Sequence, residues 1–518
     1  MNTKEFLGIS NAICPDKTAI VFEDTRYTFL QLNDRVNRLA NAFREMGIKK
    51  GDRIAILQVN CNQCIETYFA VATLGAIYVP LNFRSKIPEL TFNLNNSEAC
   101  MLLAGDRYLS MVKSALPDLP LLKNIISIDK KFPDTLYYED LITTGSPEEI
   151  FTEIADEDTT ILMYTAGTTG TPKGVLLPHK SFSVYVLENV SPADPETQEK
   201  NILTVPLYHV AGIQAMMAAI YGGRTLVMER QFEPVEWMSL VESEKVNRAM
   251  LVPTMLKQII DHPDFNKHDL SSLRVITYGA APMPLPVIKK ALEVLPGVSF
   301  INAFGQTESA STVTVLNPED HIIEGTEEEK ELKLKRLSSI GKPMSDVEMK
   351  IVDEEGHSLP TGQIGEILAR GPRVMSGYWR DEDKTQQTID KEGWLHTGDL
   401  GYRDDDGYYY LAGRSKDIIK RAGEMISPEE LENCISLHSK VEEVAVVGIP
   451  DEEWGELPCA VCVLKKGQQA TETEIIDYCH TRLASYKRPR KVIFVEELPR
   501  NTMGKVIKRT LREQYSKT

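Results

Sequence analysis

The apolar positions of the chain change period repeatedly. Leu32, Val36, Leu39 and Phe43 recur at helical spacing, and Thr28 with Gln31 forms a capping-box pattern just before them. Gly47 stands where a C-cap glycine is expected. RIAIL (53–57) is a short, continuous apolar run, the mark of a buried strand. Residues 62–75 then predict a helix and AIYVPLN (76–82) the next strand. This β-α-β order predicts a parallel sheet with helices outside. The pattern returns in the middle of the chain. TLVME (225–229), RAMLVP (248–253), LRVITYGA (273–280) and VSFINAFG (298–305) predict strands. EWMSLVESEK (236–245), TMLKQII (254–260) and PLPVIKKALEVL (284–295) predict the helices between them. The expectation is a second doubly wound sheet, with glycines and loop residues at the strand ends where open α/β sheets bind ligands.

Beyond residue 310 the texture differs. EGTEEEKELKLKR (324–336) is a charged run that reads as a solvated loop or short helix. Short alternating strands with a turn at Asp406-Gly407 predict a small β-subdomain over 348–411. GRSKD (413–417) reads as a linker, and the last hundred or so residues mix helices and strands. The predicted class is α/β and multidomain.

Composition adds constraints. Lys and Arg number 58 against 75 Asp and Glu, a net charge of −17 over 518 residues, which disfavours nucleic acid and anionic membrane as general partners. The stretch 482–518 departs from this, with 11 basic and 3 acidic residues, and suggests contact with a small polyanion. No apolar run reaches the ~18–20 residues of a membrane span. MNTKEFLGIS lacks the apolar core of a signal peptide, and YSKT is not a peroxisomal ending. The expected compartment is the cytoplasm, with all eight cysteines reduced. Two C-x-x-C pairs occur, Cys61/Cys64 and Cys459/Cys462; one falls on a predicted helix and the other on a predicted strand, so a shared zinc site is not expected.

The strongest chemical signal is YTAGTTGTPKGVLLPH (164–179). Gly167, Gly170 and Gly174 let backbone N–H groups approach an anion, Thr165, Thr168 and Thr169 add hydroxyls, and Lys173 adds a mobile charge. A Walker A loop needs its Lys at the start of a helix, whereas Lys173 precedes Gly174 and an apolar strand.

TAGTTGTPKG resembles the phosphate loop of the adenylate-forming superfamily: acyl-CoA synthetases, adenylation domains and firefly luciferase. Further family motifs follow in order, so the resemblance spans essentially the whole chain. It points to the branch of 4-coumarate-type, medium-chain and aryl-CoA ligases. PLYHVAG (206–212) resembles the motif whose His borders the acyl pocket, here His209. In GAAP (279–282), Gly279, Ala280, Ala281 and Pro282 are implied to line the adenine and the acyl carboxylate. In NAFGQTES (302–309), Asn302, Ala303 and Phe304 are implied to face adenine, Gly305 and Gln306 to border the nucleotide, Thr307 to meet the α-phosphate and Glu308 to bind Mg²⁺. The family more often has Tyr at position 304. Asp399 in GWLHTGDLG is implied to hold the ribose hydroxyls, and Leu411 and Arg414 to complete the nucleotide site. Lys416 stands at the hinge position; Lys420, Gly423 and Glu424 border the implied CoA channel; and Lys505 of LPRNTMGKVIKR matches the C-terminal catalytic lysine.

The resemblance implies a large N-terminal AMP-binding domain over 1–412, built of two doubly wound sheets and a small β-barrel-like subdomain. A hinge over 413–417 and a mobile α+β domain over 418–518 follow. The implied reaction consumes ATP, with Mg²⁺, to make an acyl-AMP, and then transfers the acyl group to CoA. Loading of a carrier-protein thiol stays open as an alternative, as do a luciferase-like oxygenase and a nucleotide-binding regulator. The candidate acyl wall, His209, Val210, Gln214, Ala280, Ala281, Ala303 and Phe304, is mostly small and apolar. It suits a compact aromatic, alicyclic or medium-chain acid. The implied partners are that acid, ATP and CoA, and a homodimer remains open.

Overall fold

The structure is a computed structural model and describes residues 1–165, 172–414, 416–421, 424–451, 454–480, 482–500 and 506–516. The first helix of the sequence argument is Phe29–Glu45, opened by the reciprocal Thr28–Gln31 capping box and burying Leu32, Val36, Leu39 and Phe43. Gly47 follows it at φ 87°, a left-handed conformation that favours glycine.

An eight-stranded sheet runs, in spatial order, Gly377–Tyr378, Lys173–Pro178, Thr159–Thr165, Ile77–Pro80, Arg53–Leu57, Met101–Ala104, Asn124–Ser127 and Leu136–Tyr137. Its central strands are parallel and apolar on both faces, as a sheet covered by helices requires. A nine-stranded sheet runs Lys342–Pro343, Ser311–Leu316, Ser299–Gln306, Val275–Gly279, Arg248–Leu251, Lys200–Leu203, Thr225–Met228, Thr18–Phe22 and Thr25–Thr28. The chain therefore crosses between the sheets early: Thr18–Phe22 pairs in parallel with Thr225–Met228, so the N-terminal hairpin belongs to the second sheet.

The β-subdomain is a four-stranded antiparallel sheet of Glu348–Val352, Gly365–Arg370, Leu395–Arg403 and Tyr409–Arg414. Its last strand carries Gly413 and Arg414, so the segment read as a linker begins inside a strand. The charged run is a helix, Glu327–Arg336. Thr326 and Glu329 cap it, three Glu fill its first turn and three basic residues its last, and it buries no side chain. Its charge order suits the helix dipole at both ends, and half-buried Leu334 with buried Leu337 at the C-cap seats it on the apolar cluster that includes Leu316.

The C-terminal part folds on a sheet of Ile419–Arg421, Glu424–Ile426, Val441–Asp451, Gly455–Leu464 and Lys491–Val495, with helices Pro428–Ser436, Glu472–His480 and Lys508–Tyr515. Part of its basic stretch is ion-paired. Lys487 pairs with Glu430, Arg500 with Glu443, Lys508 with Glu432 and Arg512 with Asp417. No helix among the described residues is long and apolar enough to cross a membrane.

Glu229, at the end of Thr225–Met228, is fully buried. It accepts the Glu233 N–H at 2.7 Å, yet burial pushes its carboxyl up to about 8. The folded chain thus holds a proton that the unfolded chain releases near the usual carboxylate range, so this group's contribution is complete at low pH and is lost as pH rises toward 8. Glu229→Gln is expected to raise stability at pH 8 relative to pH 5 by roughly 3–4 kcal/mol compared with wild type. Denaturant midpoints at the two pH values check this. His179, buried and held down to about 4, acts in the opposite direction, but it is common to both proteins and cancels from the comparison. An unchanged difference between pH 5 and pH 8 would mean that Glu229 is ionised in the fold.

Candidate functional site

Thr165 in the eight-stranded sheet and Gly279 and residues 302–306 in the nine-stranded sheet stand at the C-terminal ends of strands, the position at which open α/β sheets take ligands. Thr165 ends the strand Thr159–Thr165, and Lys173 begins its antiparallel partner, opposite Thr165. Gly167, Thr168, Thr169 and Gly170 lie outside the described residues.

Gly279 ends Val275–Gly279 beside Ala303 of the neighbouring strand. A Cβ at 279 would stand 2.1 Å from the Ala303 carbonyl oxygen, so only glycine fits. Ala280 follows at φ 65°, a strained conformation for a residue with a side chain. The strain turns the chain out at the sheet's end, where Ala280 and Pro282 are exposed and Ala281 half-buried. Asn302 is buried and its amide donates to the Ser339 carbonyl. Phe304 is half-buried, packed against the apolar clusters around Ile340 and Val313. At Gly305 a Cβ would fall 1.4 Å from the Ser311 carbonyl oxygen. Gln306 caps the short 3₁₀ turn Thr307–Ser309, which presents Thr307 and Glu308. The turn closes through Ala310 and Ser311, both at positive φ.

His209 is the N-cap of the helix Val210–Tyr221. Burial, aided by Arg84, holds its imidazole down to about 3, so the ring is neutral across the working pH range. Its Nε2 is sealed from solvent and has no hydrogen-bond partner among the described residues. Val210 starts the helix, and Gln214 one turn on meets Thr312 through two long hydrogen bonds, both 3.4 Å.

Asp399 is buried and pairs with the Arg414 guanidinium at 2.7 Å; the two lie opposite each other on adjacent strands. Arg414 also donates to the Thr397 carbonyl. Leu411 is half-buried on the same strand and packs on the cluster around Ile340. Lys416 is exposed, in a turn where the Asp417 and Ile418 N–H groups both bond to the Arg414 carbonyl. Lys420 is exposed, its Nζ 3.8 Å from Glu354, and its N–H donates to Glu456. Glu424 begins the strand Glu424–Ile426, while Gly423 and Lys505 lie outside the described residues.

The charged centre contains a residue that the sequence argument passed over. The Tyr378 hydroxyl donates to Glu308 Oε1 at 2.9 Å, and Lys173 Nζ sits 5.1 Å from the centre of the same ring. Burial first, and then the nearby Lys384 ammonium, push the Lys173 ammonium down from its ordinary value. Arg373 was also passed over; its side chain is 1% exposed and paired with Asp346. The visible signal for both was the run GPRVMSGYW (371–379), in which Arg, Gly and aromatics interrupt an apolar stretch.

A family model described as AMP-binding enzyme matches residues 10–379, and one described as AMP-binding enzyme C-terminal domain matches 430–505. A feruloyl-CoA synthase of Amycolatopsis sp. is 34% identical over 506 residues, covering 97% of this chain and 96% of its own. A fatty acid–[acyl-carrier-protein] ligase of Streptomyces coeruleorubidus is 32% identical over 506 residues, covering 97% and 94%. The crystal structure of an anthranilate CoA ligase in complex with anthranoyl-AMP superposes with a TM-score of 0.90 at 30% identity, covering 100% of this chain and 97% of that one. Matched over both its large N-terminal and small C-terminal parts, the chain belongs to the adenylate-forming AMP-binding enzymes, the family of the AMP-forming acyl-CoA ligases.

Proposed function

We propose that this chain activates a compact, largely apolar carboxylic acid (aromatic, alicyclic or medium-chain) as its acyl-AMP and transfers the acyl group to CoA. The observation that carries the reading is the convergence of Lys173 and Glu308, from different sheets, on the single ring of Tyr378. It puts a cation and a carboxylate around one ring with no ion pair between them among the described residues. That is what a triphosphate with a divalent cation requires.

In the first half-reaction a carboxylate oxygen of the acid bonds to the α-phosphorus, and the bond from that phosphorus to the bridging oxygen breaks, releasing pyrophosphate. No base is needed, because the acid is ionised at neutral pH. Lys173 holds the β- and γ-phosphates, Thr307 the α-phosphate, and Asp399 with Arg414 the ribose side. The residues present suit Mg²⁺: Glu308 gives one carboxylate oxygen to Tyr378 and has a second available for the ion. Bound there, Mg²⁺ would neutralise charge on the phosphate oxygens. Neutral His209 borders the acyl carboxylate, and Val210, Gln214, Ala280, Ala281 and Phe304 form the acyl wall. Lys505 bridges the acid and the α-phosphate.

In the second half-reaction the CoA sulfur bonds to the acyl carbon, the acyl–oxygen bond to AMP breaks, and the thiol proton leaves to solvent. A hinge just beyond the strand end at Arg414, with Lys416 in the turn, and a CoA channel bordered by Lys420, Gly423 and Glu424 suit a rotation of the small domain between the two steps. Eight cysteines, none in a disulfide, support a reducing compartment, the cytoplasm.

The test is ATP-to-AMP conversion across a panel of aromatic, alicyclic and medium-chain acids, with and without CoA. Acid-dependent AMP release that needs CoA for sustained turnover is the expected result. The similarity to an acyl-carrier-protein ligase supports a second reading, loading of a carrier thiol. Adenylate that forms but resists discharge by CoA would favour that reading.

A further inference from the structure

The segment 375–379 joins the two halves of the charged centre. The Met375 N–H donates to the Glu308 carbonyl at 2.9 Å, which ties the segment to the 3₁₀ turn beyond the nine-stranded sheet. The Ser376 N–H donates to Leu176 and the Trp379 N–H to Gly174, which tie it to the strand that Lys173 begins. Between these anchors stands Tyr378, opposite Val175 and 7% exposed. Its backbone is held from behind. The Tyr378 N–H donates to Thr385 Oγ1 at 2.9 Å, and Gly377, at φ 145°, has the Thr385 methyl 2.8 Å from where a Cβ would sit.

We propose that Tyr378 is a positioning residue that sets the separation between the carboxylate of Glu308 and the ammonium of Lys173 and keeps them from pairing. The proposal rests on the assignment above of Glu308 to the divalent cation and Lys173 to the phosphates. The hydroxyl occupies one oxygen of Glu308 and orients the other as a ligand. The ring face attracts the ammonium without removing its charge, as a carboxylate would. No ion pair joins Lys173 to Glu308 among the described residues, although the two share a neighbour. A Lys and a Glu placed at one site without such a spacer would neutralise each other and leave less charge for nucleotide and metal alike.

Three variants of the full chain separate the two functions of the ring: Tyr378→Phe, Tyr378→Leu and Glu308→Gln. Two equilibrium readouts avoid turnover. One is Mn²⁺ binding followed by electron paramagnetic resonance in the presence of ATP without acid; the other is metal-free ATP binding by calorimetry. Tyr378→Phe keeps the ring and loses the hydroxyl. It is expected to weaken Mn²⁺ binding about tenfold while leaving metal-free ATP binding unchanged. Tyr378→Leu loses both features and is expected to weaken metal-free ATP binding as well. Wild-type Mn²⁺ affinity in Tyr378→Phe, alongside a clear loss in Glu308→Gln, would overturn the proposal and leave the Glu308 assignment standing. Wild-type Mn²⁺ affinity in Glu308→Gln would overturn that assignment itself. Equal losses of Mn²⁺ and metal-free ATP affinity in Tyr378→Phe and Tyr378→Leu would reduce Tyr378 to a packing residue and also overturn the proposal.

Discussion

Lys505→Ala is expected to lower adenylate formation by a factor of ~10²–10³ while largely sparing thioester formation from acyl-AMP supplied ready-made. The first step gathers negative charge from three sources at one place: the carboxylate, the α-phosphate and the departing pyrophosphate. A cation that touches the first two at the moment of attack stabilises the transition state more than the separate reactants, so its loss falls on the rate constant of that step. The second step starts from a mixed anhydride in which the carboxylate charge is already gone; the phosphate carries one negative charge and takes up a second as AMP leaves, and a lysine at the same spot would obstruct the thiol. Lys505 lies outside the described residues, but the chain on both sides of it is anchored. Arg500 and Val506 form an antiparallel bridge, and the Ile507 N–H donates to the Pro499 carbonyl at 2.8 Å. Arg500 pairs with Glu443, and Lys508 with Glu432. Those anchors are made by other residues, so a folded protein with one selective defect is expected when the Lys505 side chain is cut back to a methyl group. Pyrophosphate release with acid and ATP measures the first step, and CoA-dependent consumption of synthetic acyl-AMP measures the second. Equal loss in both assays would remove Lys505 from the assigned role.

The sequence made the framework legible because periodicity reports burial directly. RIAIL is a strand because both faces of a parallel sheet are covered, and each strand and helix predicted between 225 and 305 appears within a few residues of its expected ends. What periodicity does not encode is strand order. Nothing local in Thr18–Phe22 says that its partner is Thr225–Met228, because that pairing is a contact between surfaces formed separately. The charged run at 324–336 left loop and helix equally open. Its ends decide between them, through a Thr–Glu cap and a charge order matched to the helix dipole. In the site, the residues with distinctive chemistry stood out: Lys173 among glycines, His209 among small residues, Glu308 after a strand. Tyr378 and Arg373 did not, since an aromatic or an Arg in a β-rich stretch looks like ordinary packing until its neighbours are known. For the basic C-terminal stretch, the local sequence does not show which charges are paired, because Glu430, Glu432, Glu443 and Asp417, the partners of Lys487, Lys508, Arg500 and Arg512, lie earlier in the chain.

Arg373 gives the largest expected effect on stability. Its guanidinium makes two hydrogen bonds to the carboxylate of Asp346, one of them from Nε to Oδ2 at 2.6 Å, and Nη1 donates to the Thr312 carbonyl at 2.6 Å. The group also lies over the ring of Tyr185, 4.9 Å from its centre. Asp346 is 6% exposed on its side chain, so neither partner has water to fall back on. A buried pair of this kind gains little over a well-packed apolar pair, because removing both ions from water offsets most of their attraction. Removing one partner is a different matter, since it leaves the other charge buried and unpaired. Arg373→Met is therefore expected to cost about 3–5 kcal/mol in the unfolding of the N-terminal part. Arg373→Met combined with Asp346→Leu should recover much of that loss, a coupling that a double-mutant cycle in denaturant reads directly. The damage should also reach the acyl wall. Thr312 follows the strained pair Ala310 and Ser311 and meets Gln214, so a strand that loses its hold on Arg373 shifts the floor beside the substrate. In Arg373→Met the Michaelis constant for the acid is expected to rise more than that for ATP. A single variant as stable as wild type, or a double variant no better than the single one, would show that the pair does not hold the strand. The acyl wall would then owe its shape to the strained turn alone.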